Sequence, residues 1–297
     1  MTGRVRLKTL REYQQQGVEI ISRRNILLGD DCGLGKTVQA VRGVHGISGP
    51  KLVVCLKPAK AQWRDEIFEE APGSDVYVCQ EGGRFFETPP WKDLAYCDWV
   101  VIHYEALRLI HPVLKDVQWG AIIVDEAHKL KNPKTVTKRC LRQLKATRRI
   151  ALTGTPMDKK PTELWSILNF LEPRKYSSYW LWSNSYERYD RSRGYPKYLG
   201  PKCLDNMFKV IGGDFVRRRK HEVASDLPQK NVFRIPVDMT DEQMILFSEV
   251  MSSMDIEADV GGIIRVIPNV LSKMSLAQQV VSCPRGIGYD IDSCKVE

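Results

Sequence analysis

No stretch of this 297-residue chain approaches the roughly 18 consecutive uncharged apolar residues that a membrane-spanning helix requires. The basic N-terminus, residues 1–8, lacks the apolar segment of a secretory signal. The chain is therefore expected to stay in the compartment where it is made, with no membrane partner. Cysteines in C-x-x-C spacing are missing as well. Cys32, Cys55, Cys79, Cys97, Cys140, Cys203, Cys283 and Cys294 stand singly, which argues against structural zinc, iron–sulfur clusters or dithiol redox chemistry and for reduced, mainly buried thiols. Internal repeats and low-complexity tracts are also absent. What is present is 43% hydrophobic residues, enough for a sizeable core in one large or two smaller domains, and a net charge of +9. The cationic surplus suits a polyanion held through phosphate contacts. It equally suits an ordinary basic enzyme, so a nucleic-acid role has to rest on motifs.

Short β-branched runs bounded by turn residues recur at 25–29, 51–56, 75–79, 99–103, 121–125 and 148–153. Helix-period segments at 37–45, 59–70 and 133–144 lie between them. Strands alternating with helices predict an α/β fold, a parallel sheet with helices on both faces. From residue 161 the pattern turns helical, with Pro161 at a first helical position and Leu164, Ile167, Leu168 and Leu171 at helical spacing. Residues 173–200 are crowded with tyrosine, tryptophan and arginine and are expected to pack as a helical subdomain. A short strand at 232–237 and helices at 241–255 and 263–280 complete the expected elements.

In such sheets ligands sit at the carboxyl ends of strands, where glycine and polar residues cluster in this sequence. The run from Gly29 to Thr37, GDDCGLGKT, follows a strand and opens a helix, as a phosphate-binding loop requires. Gly33 and Gly35 allow backbone N–H groups to approach phosphate oxygens, with Leu34 between them, and the helix N-terminus adds partial positive charge. Lys36 is expected to reach the β and γ phosphates of ATP, and Thr37 to place its hydroxyl on Mg2+. Asp30 stands where the G-x-x-x-x-G-K-T pattern begins with glycine. A second strand, AIIVDEAH from Ala121 to His128, ends in two carboxylates. Asp125 is expected to bind the metal and Glu126 to orient and deprotonate the attacking water. A third, ALTGTP from Ala151 to Pro156, closes on Thr153, Gly154 and Thr155, residues suited to sensing the γ phosphate and relaying its loss through His128. Upstream, the amide of Gln14 is suited to read an adenine edge.

Together these residues resemble the Swi/Snf-type DNA translocases, a DEAH-containing branch of helicase superfamily two. The resemblance runs through Leu10–Gln14 (LREYQ), Asp30–Thr37, Gln62-Trp63 with Glu66, Tyr104-Glu105, Asp125–Pro133, Leu152–Pro156, Glu163–Trp165, Asn169–Pro173, Arg217-Arg218 with Lys220 and Val223, and Leu227–Lys230. Met157-Asp158 stand where the family has Gln-Asn, and His103 where threonine often precedes Tyr-Glu. The resemblance implies a RecA-like ATP-binding core over 1–160, a helical aromatic-basic subdomain over 161–230, and a closing strand, helices and hinge over 231–297. It further implies ATP-driven tracking along double-stranded or forked DNA in replication, recombination or repair. Expected DNA contacts are Lys57, Gln62, Trp63, Tyr104, Arg217, Arg218 and Lys220. The family's Q-x-x-G-R-x-x-R helix, whose arginines complete the ATP site, does not occur in this sequence. The match is thus to the first motor lobe, with a second polypeptide expected to supply the other for efficient hydrolysis. The motor subunit of a restriction or defence complex, and an ATP-switched DNA-binding module, are the alternative readings. The expected location is bacterial or phage-infected cytoplasm, or the nucleus of a eukaryote.

Overall fold

A computed structural model describes residues 8–79, 97–192, 194–224, 237–252, 257–260, 263–266 and 270–282. The chain divides into two compact units, Met1–Leu227 and Pro228–Glu297.

The first unit is built on a seven-stranded sheet in which every pairing is parallel, in the order β3-β4-β2-β5-β6-β1-β9. The strands are β1 (Ile26–Leu28), β2 (Lys51–Cys55), β3 (Val76–Val78), β4 (Trp99–His103), β5 (Gln118–Val124), β6 (Lys145–Leu152) and β9 (Phe215–Val216). Side chains alternate across a strand, so continuous apolar runs feed two cores at once. Leu52, Val54, Val100, Ile102, Ile122, Val124 and Ala151 enter one. Val53, Cys55, Trp99, Val101, Ala121, Ile123, Ile150 and Leu152 enter the other.

Helices α1 (Glu12–Arg23), α2 (Lys36–His45) and α3 (Ala59–Glu70) contribute Ile21, Val41, Val44, Trp63 and Ile67 to the second core. Helices α4 (Tyr104–Leu114), α5 (Val136–Gln143) and α6 (Pro161–Leu171) cover the first. The α/β sheet with helices on both faces is therefore as the sequence predicts. Burial lifts the Cys55 thiol to about 12 and the Cys79 thiol to about 11, which keeps both unreactive.

Register sets the site. Leu28 of β1 pairs with Leu152 of β6, and Val124 of β5 pairs with Ala151, so three neighbouring strands end almost level. The short edge strand β9 pairs Leu27 with Phe215 and Leu28 with Val216, bringing the chain after it to the same end of the sheet. Gly29 makes room for that edge, since a Cβ there would lie 2.6 Å from the Phe215 ring.

Beyond α6 the structure departs from an all-helical reading. Helix α7 (Tyr179–Tyr186) is followed by an antiparallel hairpin, β7 (Glu187–Asp190) with β8 (Lys197–Pro201), then α8 (Leu204–Ile211). Tyr176, Trp182 and Tyr186 pack edge to face inside this region. The buried Glu187 carboxylate organises it, accepting hydrogen bonds from the Thr162 N–H and hydroxyl and from the Ser183 and Tyr189 hydroxyls. The last helix of the unit is the single turn α9 (Lys220–Val223).

In the second unit, α10 (Asp241–Ser252) and α11 (Val270–Ser282) pack through Leu246, Val250, Leu276, Ala277 and Val280. Gln243 donates its amide to the Val280 carbonyl. The helix expected over 263–280 is corrected at its start: Ile263–Val266 forms β11, antiparallel to β10 (Glu257–Val260). The Ile-Ile-Arg-Val run favours extended backbone. The strand expected at 232–237 falls outside the described residues except for Val237, which is not in a strand.

One buried charge carries a prediction of its own. Lys138 of α5 is 2% exposed, with its ammonium 2.9 Å from the Ser166 hydroxyl, 4.6 Å from the Trp165 ring centroid, and no carboxylate partner among the described residues. Burial first, and Arg142 second, push its pKa down to about 7 from 10.5. Because the folded pKa lies below the unfolded one, the unfolded chain binds the extra proton between those values. The stability cost therefore grows as pH falls from 10.5 to 7 and is full below 7. Lys138→Met is expected to raise stability by about 1–3 kcal/mol at pH 7, a gap that closes toward pH 10. Thermal unfolding at the two pH values measures it, and a variant no more stable than the parent at pH 7 overturns the account.

Candidate nucleotide-binding site

The loop after β1 is shaped by two left-handed glycines, Gly33 at φ +87° and Gly35 at φ +72°. Gly35 is the residue that caps α2, and a Cβ on it would lie 2.5 Å from Gln14 Nε2. Gln14 is tied down at both ends of its amide: Oε1 accepts from the Arg11 N–H at 3.0 Å, and Nε2 donates to the Leu34 carbonyl at 3.3 Å. Lys36 donates from Nζ to the carbonyls of Asp30 and Asp31 at 2.7 and 3.2 Å. Thr37 follows it on the first turn of α2.

Asp30, in the position where the motif has glycine, is fully buried. Its Oδ1 accepts from the Arg218 N–H at 3.0 Å, and its Oδ2 accepts from Arg218 Nη1 at 3.0 Å and Gln39 Nε2 at 3.3 Å. Burial pushes its pKa up, against the lowering effect of Arg218 and Gln39. Gln39 is the participant that motif reading missed. Its amide also reaches the Leu34 and Gly35 carbonyls, and it needs Gly17 of α1 opposite, where a Cβ would lie 1.8 Å from its Oε1.

At the end of β5, Asp125 and Glu126 are held from several directions. Trp63 of α3 donates its indole N–H to Asp125 Oδ2 at 2.8 Å, and the Glu126 N–H donates to Oδ1 at 2.9 Å. Tyr104 donates its hydroxyl to the Asp125 carbonyl at 2.5 Å, with the Glu126 carbonyl at 3.3 Å. Burial raises the Asp125 pKa, and the Trp63 hydrogen bond is the largest opposing cause; the charge of Lys36 opposes it too. Glu126 itself is left-handed, at φ 48° and ψ 49°, a conformation that costs a non-glycine residue about 1–3 kcal/mol and that gathers at functional sites. Its Oε2 lies 3.0 Å from His128 Nδ1, which lies 3.4 Å from Thr153 Oγ1. Thr153 Oγ1 also accepts from the Thr155 N–H at 3.1 Å. Gly154 closes the third loop onto the first, since a Cβ there would lie 2.8 Å from Cys32 Sγ.

The residues expected to contact DNA lie in three places. Lys57 and Gln62 are exposed after β2 and on α3. Trp63 and Tyr104 are buried and face the carboxylate pair. Arg217, Arg218 and Lys220 run beside the phosphate loop, with Arg218 buried against Asp30 and Arg217 Nη2 3.9 Å from Asp31 Oδ1. A Trp63→Phe substitution removes a donor from a half-buried carboxylate and is expected to cost about 1–3 kcal/mol of stability. Denaturant unfolding measures that loss, and a change under half a kcal/mol tells against the bond as a restraint.

The donor set fits ATP with Mg2+. A hydroxyl and a carboxylate are hard oxygen ligands of the kind that ion takes. The two hydrogen bonds on Asp125 leave lone pairs free on both oxygens. Two left-handed glycines at a helix start suit the close approach of an anion.

Comparison with known proteins places this architecture. The SNF2-related domain matches residues 8–285. DNA excision repair protein ERCC-6 of Homo sapiens is 26% identical over 297 residues, covering 89% of this chain and 20% of that protein. The ISWI chromatin-remodeling complex ATPase ISW1 of Saccharomyces cerevisiae is 30% identical over 267 residues, covering 84% of this chain and 23% of its own length. The solved Sulfolobus solfataricus SWI2/SNF2 ATPase core in complex with double-stranded DNA aligns with a TM-score of 0.62 at 27% identity, over 92% of this chain and 58% of that one. The chain therefore spans about a fifth of these two curated relatives. With the family pattern matching nearly the whole sequence and the fold matching the solved ATPase core, this chain belongs to the SNF2-related domain family.

Proposed function

We propose that this domain is the nucleotide-binding lobe of an ATP-driven DNA translocase. The observation that carries the reading is the convergence of three strand ends: Lys36 on the phosphate loop, the Asp125 and Glu126 pair, and Thr153 linked to Glu126 through His128. Lys36 exchanges its two loop carbonyls for phosphate oxygens. Asp125, oriented by Trp63, and the Thr37 hydroxyl would hold Mg2+, which would supply charge neutralisation at the phosphates. Glu126 takes the proton of the attacking water. His128 and Thr153 fix the Glu126 carboxylate and connect it to the loop that Gly154 packs against Cys32.

Duplex or forked DNA is the proposed track. The net charge of +9 and a relative solved with double-stranded DNA support it, and the exposed Lys57 and Gln62 are the proposed contacts. Work in repair accords with the excision-repair name of one relative. Efficient hydrolysis is proposed to need a second lobe carrying the Q-x-x-G-R-x-x-R helix, because a completing arginine contributes about 10³–10⁵ in rate.

The test is ATP binding and hydrolysis by the whole chain, with and without duplex DNA and with and without a polypeptide bearing that helix. Micromolar-range Mg-ATP binding with hydrolysis that rises only when both additions are present is expected. Failure to bind ATP overturns the nucleotide reading. Rapid DNA-stimulated hydrolysis by the chain alone overturns the need for a second lobe.

A further inference from the structure

The phosphate loop meets a second ammonium group, carried to it by a distant part of the chain. The edge strand β9 does not end its pairing with the sheet. The Gly29 N–H donates to the Val216 carbonyl at 2.7 Å, the Asp31 N–H to the Arg218 carbonyl at 3.1 Å, the Arg218 N–H to Asp30 Oδ1 at 3.0 Å and the Lys220 N–H to Asp31 Oδ2 at 3.1 Å. Four hydrogen bonds therefore strap residues 216–220 along residues 29–31, and the Arg218–Asp30 ion pair at 3.0 Å locks the strap from below.

This strap delivers Lys220 to the glycine face of the loop. A Cβ built on Gly33 would lie 3.4 Å from Lys220 Nζ and 3.5 Å from its Cε. The ammonium thus stands directly over the residue whose missing side chain leaves the loop open. Among the described residues it has no carboxylate or carbonyl partner, although the strap around it is densely bonded. Lys220 is exposed, and an ammonium placed beside the loop by a bonded backbone and without a protein partner among the described residues is open to a ligand that brings negative charge.

We propose that Lys220 is a second phosphate-binding lysine, contacting the polyphosphate of the nucleotide together with Lys36. The inference rests on the reading of the loop as a nucleotide site. It reassigns Lys220 from the DNA surface, where motif position alone puts it, to the nucleotide. Lys36 belongs to the helix that the loop opens. Lys220 belongs to a strap far from the loop in sequence, so occupancy of the loop fastens that strap.

The experiment is calorimetric titration of the whole chain with Mg-ATP, Mg-ADP, inorganic pyrophosphate and adenosine, for the parent, Lys220→Met and Lys220→Arg. Lys220→Met is expected to weaken ATP, ADP and pyrophosphate about 5- to 30-fold, with the loss shrinking as salt rises. Adenosine affinity and the melting temperature without nucleotide are expected to stay as in the parent, and Lys220→Arg to recover most of the loss. Parent-like binding of ATP and ADP by Lys220→Met overturns the inference and leaves the nucleotide reading standing. An equal loss for adenosine, or a lowered melting temperature without nucleotide, assigns Lys220 a structural role and overturns it too. A parent chain that binds neither ATP nor pyrophosphate overturns the nucleotide reading itself.

Discussion

Glu126→Gln is expected to bind Mg-ATP within about twofold of the parent and to hydrolyse it about 10²- to 10⁴-fold more slowly, the range that a positioned general base contributes. Glutamine keeps the shape of glutamate and an oxygen toward His128, so the left-handed turn at Glu126 and the 3.0 Å contact to Nδ1 survive. What it loses is the basic oxygen proposed to take a proton from water. Asp125 is untouched, and with it the indole and backbone donors that fix its carboxylate. The measurement is single-turnover hydrolysis with duplex DNA and the second lobe supplied, alongside a binding titration. Parent-like hydrolysis removes Glu126 from its role. Loss of binding in step with hydrolysis makes Glu126 a binding residue instead.

How much of this was legible in the sequence follows from the range of the interactions involved. The phosphate loop and the carboxylate pair are runs of adjacent residues whose chemistry demands their order, and each sits at the end of an apolar strand. Both the α/β fold and the level strand ends follow from that local pattern. Trp63 reads as a candidate DNA contact, because nothing near it announces an acceptor 62 positions away. Arg218 reads as one of a basic run, and its burial depends on Asp30 at a separation of 188. Strand β9 has only two residues, too few for a period, so the strap it begins is invisible before the chain is folded. The β7–β8 hairpin is a different kind of miss. Its tyrosines suit strand as well as helix, and Gly194, at φ +78° between the strands, supplies the turn.

Asp30→Ala is expected to destabilise the first unit by about 3–5 kcal/mol, the range for removing one partner of a buried ion pair. The Arg218 side chain is only 11% exposed and Asp30 wholly buried, so alanine leaves a guanidinium in the interior without its counter-charge. The same substitution deletes the acceptor of the Arg218 N–H and one of the acceptors of Gln39, loosening the strap and the α2 N-terminus together. All seven tryptophans of the sequence lie before residue 183, so tryptophan fluorescence during denaturant unfolding reports the first unit alone. Adding Arg218→Met to Asp30→Ala removes the stranded charge, and the double variant is expected to recover a large part of the loss. That recovery separates the ion pair from the backbone acceptor, because only the charge term is relieved. A cost below about 1 kcal/mol for Asp30→Ala shows that the pair is solvated and leaves the strap to its backbone bonds alone. A double variant as unstable as the sum of its parts shows instead that Asp30 acts through the Arg218 N–H, with the guanidinium a bystander.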